Sequence, residues 1–457
     1  MKKIRVMALI LAAALAVLPL SGCREVIQVN NGLTIYASAE TINYWNRVLN
    51  GYRYAYPDVA VDLVDLSDLT EREFSERLAG ELMSGHGPDL FIVGEEFMKQ
   101  RDIYKLMDSG AFADITKEIS SHPELGNGDG EGISKSYNQI VMEQGVWKGK
   151  RYLLPICYRI PILLTSQGIL DESGFDMDQC GDLMGFIREA KPFVEAKEND
   201  LQAPRLFGGK AAFRNYAFWI GDGMFDYEGR RVTVDTPEFR EASEFYRSLY
   251  AQEQEFVRSE DSLERWVFER NQKRLFENYE RDIFSFHLCA AFVQGYDRAV
   301  TFPMRTVDGG IPASIVQAFA VNGNSPNVEN ACNFIDIALK KYQYAGMTLA
   351  IPVLNAYASD ILGNITMPEL VWYYSGYYED ERGNPIELSG FDGDFSPLPE
   401  EFMEEFVSWT QSISCARFYT PEQEKLYELM TPYYKGEADY ETCIKKAQEQ
   451  LTLYMTE

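Results

Sequence analysis

The stretch 33–93, LTIYASAETINYWNRVLNGYRYAYPDVAVDLVDLSDLTEREFSERLAGELMSGHGPDLFIV, carries the pattern that decides the fold. Leu33 to Tyr36 is a short apolar run that reads as a strand. Thr41 then opens a helix with Ile42, Trp45, Leu49 and Tyr52 on one face, and Pro57 closes it. Val59, Val61 and Leu63 recur at period two as a second strand. Thr70 with Glu73 forms a capping box for a helix carrying Phe74, Leu78 and Leu82, stopped by Gly85. Pro88-Asp89 leads into a third strand, Leu90 to Val93. Strand, helix, strand, helix, strand in about 60 residues is the pattern of parallel, doubly wound α/β structure, whose ligands bind beyond the carboxyl ends of the strands. Those ends are 37–41 and 94–97. They carry Glu40, Glu95 and Glu96, placed to hydrogen-bond ligand hydroxyls or simply to be solvated as loop carboxylates.

Further along, Trp147 to Gly149 forms a turn before Tyr152–Pro155 and Ile160–Leu164, two extended runs that read as a paired crossing between halves and hence as the hinge. A helical region from about Cys180 to Lys197 is expected to kink or break near Pro192. Thr236 and Pro237 start a helix bearing Phe239, Ala242, Phe245, Tyr246 and Leu249. Ser325-Pro326 starts another, with Val328, Ala331, Phe334, Ile335 and Leu339 along its apolar face. The C-terminal third reads as helical and aromatic, with Thr420 and Gln423 as a capping box and Tyr440, Ile444, Ala447, Leu451 and Tyr454 spaced as a closing amphipathic helix.

At the other end, Lys2, Lys3 and Arg5 precede an apolar run from Val6 to Leu20, and Leu20-Ser21-Gly22-Cys23 follows. That order is a secretory signal ending in a bacterial lipobox, and the run is shorter than the roughly 20 residues a membrane span needs. The resemblance implies cleavage before Cys23, a diacylglyceryl thioether on its sulfur and an acylated new amino terminus, so that two or three acyl chains such as palmitate hold the protein to the membrane. Residues 1–22 are the signal peptide and 23–32 a polar tether. About 430 residues remain, enough for two domains with separate cores. The full chain has 43 basic and 70 acidic residues, net −27, and loss of the three basic residues of the signal leaves −30. Such a surface suits solubility outside the membrane and excludes nucleic acid as a partner, since no cluster of Lys and Arg is present to meet a phosphate backbone. Cys157, Cys180, Cys289, Cys332, Cys415 and Cys443 are scattered, without CxxC spacing or Cys/His grouping. They read as buried small apolar residues, with a disulfide as the alternative, and no metal or cofactor is expected.

Ordered along the chain, Leu33–Tyr36, Pro88–Val93, the run 105–116 (KLMDSGAFADIT), Gly149–Pro155, Phe218-Trp219 before Gly221-Asp222-Gly223, Val234–Phe239, Asp308-Gly309-Gly310 before Ala318–Val321, Ala331–Ile335 and Ile351-Pro352-Val353 resemble the family 1 extracellular solute-binding proteins, relatives of maltose-binding protein. The resemblance covers nearly the whole chain after Cys23. It implies an α/β, two-lobe architecture of the type II periplasmic-binding-protein kind, with hinge crossings and a helical C-terminal region. It also implies a small polar ligand, most naturally a carbohydrate, enclosed as the hinge closes, and ABC permease subunits as partners on the extracytoplasmic face of the cell membrane. On that scheme lobe one is 33–149 plus about 290–343, and lobe two is about 150–289 plus 344–457. The sequence departs from the family where Leu164-Thr165-Ser166 replaces the usual Tyr-Asn, and where 287–292 (HLCAAF) lacks the common glycine.

Sugar recognition needs aromatic faces for the C–H surfaces of the ring and planar polar groups for its hydroxyls. By family position the ligand-binding candidates are Glu40, Glu95, Tyr158, Phe218 and Trp219, with Trp372 and Tyr373 added from the aromatic run after Pro368; core packing is the alternative for each aromatic. Arg159 is placed either to grip an acidic group or to form a salt bridge at the hinge. The segment Gly390–Asp394 resembles a calcium loop only briefly, because Pro397 follows and Met403 stands where a bidentate glutamate belongs. His86, His122 and His287 are far apart and beside no nucleophile motif, so no enzyme activity is expected. The reading is a reversible binder serving import. The alternatives are a surface sensor or glycan-holding protein on the same fold and, further off, a glycan hydrolase.

Overall fold

A computed structural model describes residues 32–127, 132–195, 205–208, 213–220, 223–257, 274–277, 299–340, 350–356, 378–379, 385–386 and 400–456. Along the chain run β1 (Gly32–Ala37), α1 (Ile42–Ala55), β2 (Ala60–Asp65), α2 (Glu71–Met83), β3 (Leu90–Gly94), α3 (Glu95–Gln100) and α4 (Ile103–Ser109). There follow β4 (Leu153–Arg159), β5 (Ile162–Ser166), α5 (Leu183–Glu195), β6 (Arg205–Gly208), α6 (Tyr216–Ile220), α7 (Pro237–Val257), β7 (Arg274–Glu277) and β8 (Ala299–Pro303). The last set is β9 (Ile311–Val321), α8 (Val328–Lys340), β10 (Ile351–Pro352), β11 (Ile413–Phe418), α9 (Pro421–Tyr434) and α10 (Tyr440–Thr456).

The opening pattern folds as its residues dictate. β1 pairs in parallel with β2 and β3, so the helices between them must cross over the sheet. The run LFIV of β3 is buried on both faces, whereas β2 lies at the sheet edge, and there alternation shows. The capping box at Thr70 and Glu73 is present in both directions, satisfying two orphan backbone donors at the start of α2. Trp45 on α1 is fully buried, its ring 5.7 Å from that of Phe319 on β9 and 5.4 Å from that of Phe334 on α8.

Two apolar cores result. The first takes the side chains of β1 to β4, β9, β10 and β11 and the helices laid against them. The second takes Leu163 of β5 and the side chains of α5, α6, α7, α9 and α10, with β6 and β7 beside β5 in a four-stranded sheet of order β8-β5-β7-β6. Three described segments pass from one core to the other: Ile160–Pro161 between β4 and β5, Met304–Gly310 between β8 and β9, and Tyr419–Thr420 between β11 and α9.

Several expectations change. The runs 152–155 and 160–164 are not a paired crossing: β4 belongs to the first sheet and β5 to the second, and the chain passes over in two residues between them. Side chains of 153–162, 350–353 and 406–418 therefore pack in the first core, although the expected scheme gave them to the second half, and Met304 packs in the second. α5 begins at Leu183 and runs through Pro192. The C-terminal third contains a strand, β11, that the helical reading missed. Thr420 caps α9 without a side-chain hydrogen bond, because its hydroxyl is engaged by the Tyr227 phenol at 2.7 Å. Cys157, Cys180, Cys332 and Cys443 are buried thiols, and burial pushes Cys332 up to about 12.

Asp89, 1 % exposed, ties the first lobe together. Its Oδ2 accepts from the Thr34 amide at 2.8 Å, and its Oδ1 accepts from Ser325 Oγ at 2.5 Å and Asn327 Nδ2 at 3.3 Å. Removing one acceptor from three donors, two of them buried, costs more than any single bond. Asp89→Ala should lower stability by about 3 kcal/mol. Urea titration would show it as a fall in midpoint at unchanged slope.

Candidate functional site

β9 runs antiparallel to both β3 and β4, so β1, β2, β3 and β4 all point the same way, and their carboxyl ends face the crossings. This is where an open α/β sheet presents its loops to a ligand. At the end of β1 the Ser38 amide donates to Thr41 Oγ1 at 2.9 Å, while the Thr41 and Ile42 amides return to the Ser38 carbonyl at 3.1 and 3.0 Å. That turn holds Glu40 out in solvent at the rim.

Glu95 begins α3 directly after β3, and Arg159 ends β4. Arg159 Nη1 donates to both Glu95 oxygens at 3.3 Å, so of the two roles open to Arg159 the structure has the ion pair. Both side chains are partly exposed, which limits the pair's contribution to stability to about 1 kcal/mol or less. Its importance is one of placement. On β9, Ser314 is opposite Arg159 on one edge and opposite Arg417 of β11 on the other. Side chains on one rung share a face, so the two arginines stand two strand spacings, roughly 10 Å, apart at the same edge of the sheet.

Arg417 reaches the second lobe. Its Nη1 donates to the Phe218 carbonyl at 3.4 Å, and its guanidinium lies 5.7 Å from the centre of the Phe218 ring. Beside it, in the crossing before β9, the Asp308 carboxyl is held below the usual carboxylate range, chiefly by the Thr306 hydroxyl and also by Arg417. Lys99 of α3 sits 5.2 Å over the Tyr419 ring, the Tyr419 phenol donates to Glu424 at 3.0 Å, and Arg214 pairs with the same carboxylate while lying 4.1 Å over Tyr427. The seam between the lobes thus alternates guanidinium or ammonium groups, carboxylates and half-buried rings. Such a surface can accept and donate hydrogen bonds to hydroxyls and stack against apolar ring faces. Among the described residues, no three His, Cys, Asp or Glu side chains gather as a metal site.

The expected site residues divide. Glu40 and Glu95 lie at the strand ends. Tyr158, Phe218 and Trp219 do not offer open faces. Tyr158 is 1 % exposed beside Asn138 and Thr410, and burial raises its phenol well above the usual range. Trp219, 3 % exposed, packs edge-on to Phe213 at 5.3 Å in the second core, and the Phe218 side chain is buried there with it. Trp372 and Tyr373 lie outside the described residues, as does Cys23. Sequence reading missed Arg417, Lys99, Arg214 and Tyr419. The only signal for Arg417 was the short run 413–418 (ISCARF) between two helical patterns.

Two α/β lobes, each with its own core, joined by several crossings and meeting at a polar, aromatic seam, define a two-lobed solute-binding protein. The chain belongs to the bacterial extracellular solute-binding proteins, whose family profile matches residues 38–343. No curated protein sequence is significantly similar to it. Among solved structures it is similar to the sugar-binding protein MalE of Xanthomonas citri, at 12% identity and TM-score 0.61 over 93% of this chain and 97% of that one. It is also similar to a cyclic alpha-maltosyl-1,6-maltose binding protein of Arthrobacter globiformis, at 15% identity and TM-score 0.58 over 93% and 98% of the two chains. A third is an ABC substrate-binding protein of Listeria monocytogenes in complex with cycloalternan, at 11% identity and TM-score 0.57 over 93% and 99%. Identities this low establish the shared fold alone.

Burial separates the candidates by what a substitution does. Trp219→Ala should cost about 3–5 kcal/mol as a core truncation, whereas Glu95→Ala should change stability by less than about 1 kcal/mol. Thermal unfolding of the two variants side by side tests this, and identical midpoints would refute the assignment of Trp219 to the core.

Proposed function

We propose that the chain is the extracytoplasmic substrate-binding lipoprotein of an ABC importer, anchored through Cys23, and that its ligand is a carbohydrate held between the lobes. The observation that carries the reading is the rung of Arg159, Ser314 and Arg417 at the strand ends, with Glu95 on one arginine and the second lobe's Phe218 carbonyl on the other. Membership of the solute-binding family supports it, as do the oligosaccharides named for the Arthrobacter and Listeria structures.

The mechanism is reversible binding, with no bond made or broken. The three short crossings let the lobes rotate about 160–161, 304–310 and 419–420 while each core stays intact. A ligand that contacts both lobes stabilises the closed arrangement by its extra contacts there, and nothing else is required for closure. In this scheme Glu40 and Glu95 accept from sugar hydroxyls, Arg159 and Arg417 donate, and a half-buried ring such as Tyr419 supplies the stacking face. The closed lobes then present one continuous surface to the permease.

Titration calorimetry with monosaccharides, linear and cyclic glucooligosaccharides, polyamines and peptides checks the ligand class. Saturable binding to one or more carbohydrates is expected, with a rise in thermal midpoint that grows with ligand excess. A folded protein that binds a peptide or polyamine and no sugar would overturn the carbohydrate reading. In the same protein, Glu95→Ala should weaken sugar binding at least tenfold, about 1.4 kcal/mol, while its midpoint without sugar stays near that of the parent. For the anchor, Cys23→Ser should abolish incorporation of labelled palmitate and release the protein from the membrane fraction; unchanged labelling would disprove lipid attachment at this residue.

A further inference from the structure

Away from the arginine rung, the lobes meet along a second line beside the 419–420 crossing. The first lobe contributes α3 and α4. The second contributes the start of α9, the end of α10 and the ribbon formed by Phe225–Asp226 and Arg231–Val232. The rings of Tyr104 on α4 and Tyr227 in the ribbon stack at 4.2 Å, and the Tyr227 hydroxyl is 2.7 Å from Thr420 Oγ1. Lys105 Nζ donates to the Tyr454 carbonyl on α10 at 2.6 Å. Asp108 brings Trp147, Lys148 and Arg230 together at the outer end.

In the middle of this line lies Glu422, the second residue of α9, with no solvent exposure. Neither carboxyl oxygen has a well-formed hydrogen bond; the Thr420 hydroxyl and its own amide are the nearest donors. A buried carboxylate in that position is costly unless paired. The charged groups around it do not pair it. Across the seam Asp102, the N-cap of α4, adds a second negative charge. Asp102 accepts from the Tyr104 and Lys105 amides at 2.9 and 3.1 Å, as an N-cap does. Lys105, whose charge acts weakly in favour of ionised Glu422, is 4.0 Å from Asp102 and is committed to the Tyr454 carbonyl and ring. Arg101 lies toward Tyr454, and Lys99 sits over Tyr419. On α9 itself Lys425 turns to the Tyr454 ring, and Glu424 pairs with Arg214. From α7, Arg247 lies over Tyr433 at the far end of the helix. The ribbon offers the Tyr227 phenol, whose burial disfavours ionisation.

We propose that Glu422 is a proton-operated latch between the lobes: protonated, it lets α4 and α9 close on one another, and ionised, it opposes Asp102 across the seam and drives them apart. Burial first, and Asp102 second, raise its carboxyl from an ordinary 4.5 to about 7, against the favourable field of its own helix N-terminus. The sign follows from linkage. The folded group keeps a proton that the unfolded chain has lost between those two values, so the latched arrangement weakens as pH rises from 4.5 to about 7 and stays weak above it. The latch needs no ligand, and its test is independent of which solute the cleft takes.

Small-angle scattering of the full-length protein without ligand, from pH 5.5 to 8.5, is the experiment. The radius of gyration should grow as pH rises toward about 7 and level off above it, and Glu422→Gln should remain compact throughout. Asp102→Asn, which keeps an N-cap at α4, should diminish the growth, because it removes the charge that ionised Glu422 opposes. A radius independent of pH in the parent, or the same growth in Glu422→Gln, would overturn the latch. Should Glu422→Gln fail to fold, undiminished growth in Asp102→Asn overturns it by itself.

Discussion

The architecture depends on one demand, that the eleven-residue strand β9 have partners along both edges. One edge is met by β4. On the other, β3 is only five residues long and covers Gln317 to Val321, leaving the amides and carbonyls of 311–315 to be paired by something else. Buried backbone groups without partners are scarcely tolerated. The chain answers by bringing β11 back from its C-terminal quarter to run parallel to Ile311–Ile315. That return places Arg417 on the same rung as Arg159, sends the chain through the 419–420 crossing and delivers α9 to the second lobe. Site, hinge and seam are consequences of the same unpaired half-strand.

Much of the first lobe was legible because its cues are local. The capping box at Thr70, the apolar face containing Trp45 and the unbroken apolar run of β3 each specify structure within a few residues, and each is found. The start of α7 at Pro237 was equally local. What could not be read is what distance decides. ISCARF has no helical or strand periodicity strong enough to mark it, and it is a strand only because β9 has an open edge. Tyr152–Pro155 and Ile160–Leu164 look alike as extended runs, and nothing in them says that a two-residue crossing assigns them to different sheets. Thr420 and Gln423 have the spacing of a capping box, but the Tyr227 phenol, far away in sequence, takes the hydroxyl.

The site shows the same division. Carboxylates at strand ends follow from the α/β pattern itself, and Glu95 stands where that pattern puts it. Aromatic candidates are harder, because a Trp that stacks on a ligand and a Trp that fills a core have the same neighbours in sequence. Trp219 and Phe218 fill the core, and among the rings left at the seam Tyr419 and Tyr427 are those whose cationic neighbours need one wet side.

The register of β9 also bears on how the molecule comes to be folded at all. Leu90 has no edge partner on that side until Val321 arrives, and Ile311 none until Ile413 does. The N-terminal strands therefore emerge into a sheet whose middle has not yet been made. Pairings so distant in sequence form slowly, since loop closure must precede any gain from contact. The sheet of the first lobe therefore cannot close until Val321, well past the middle of the chain, is available to pair with Leu90.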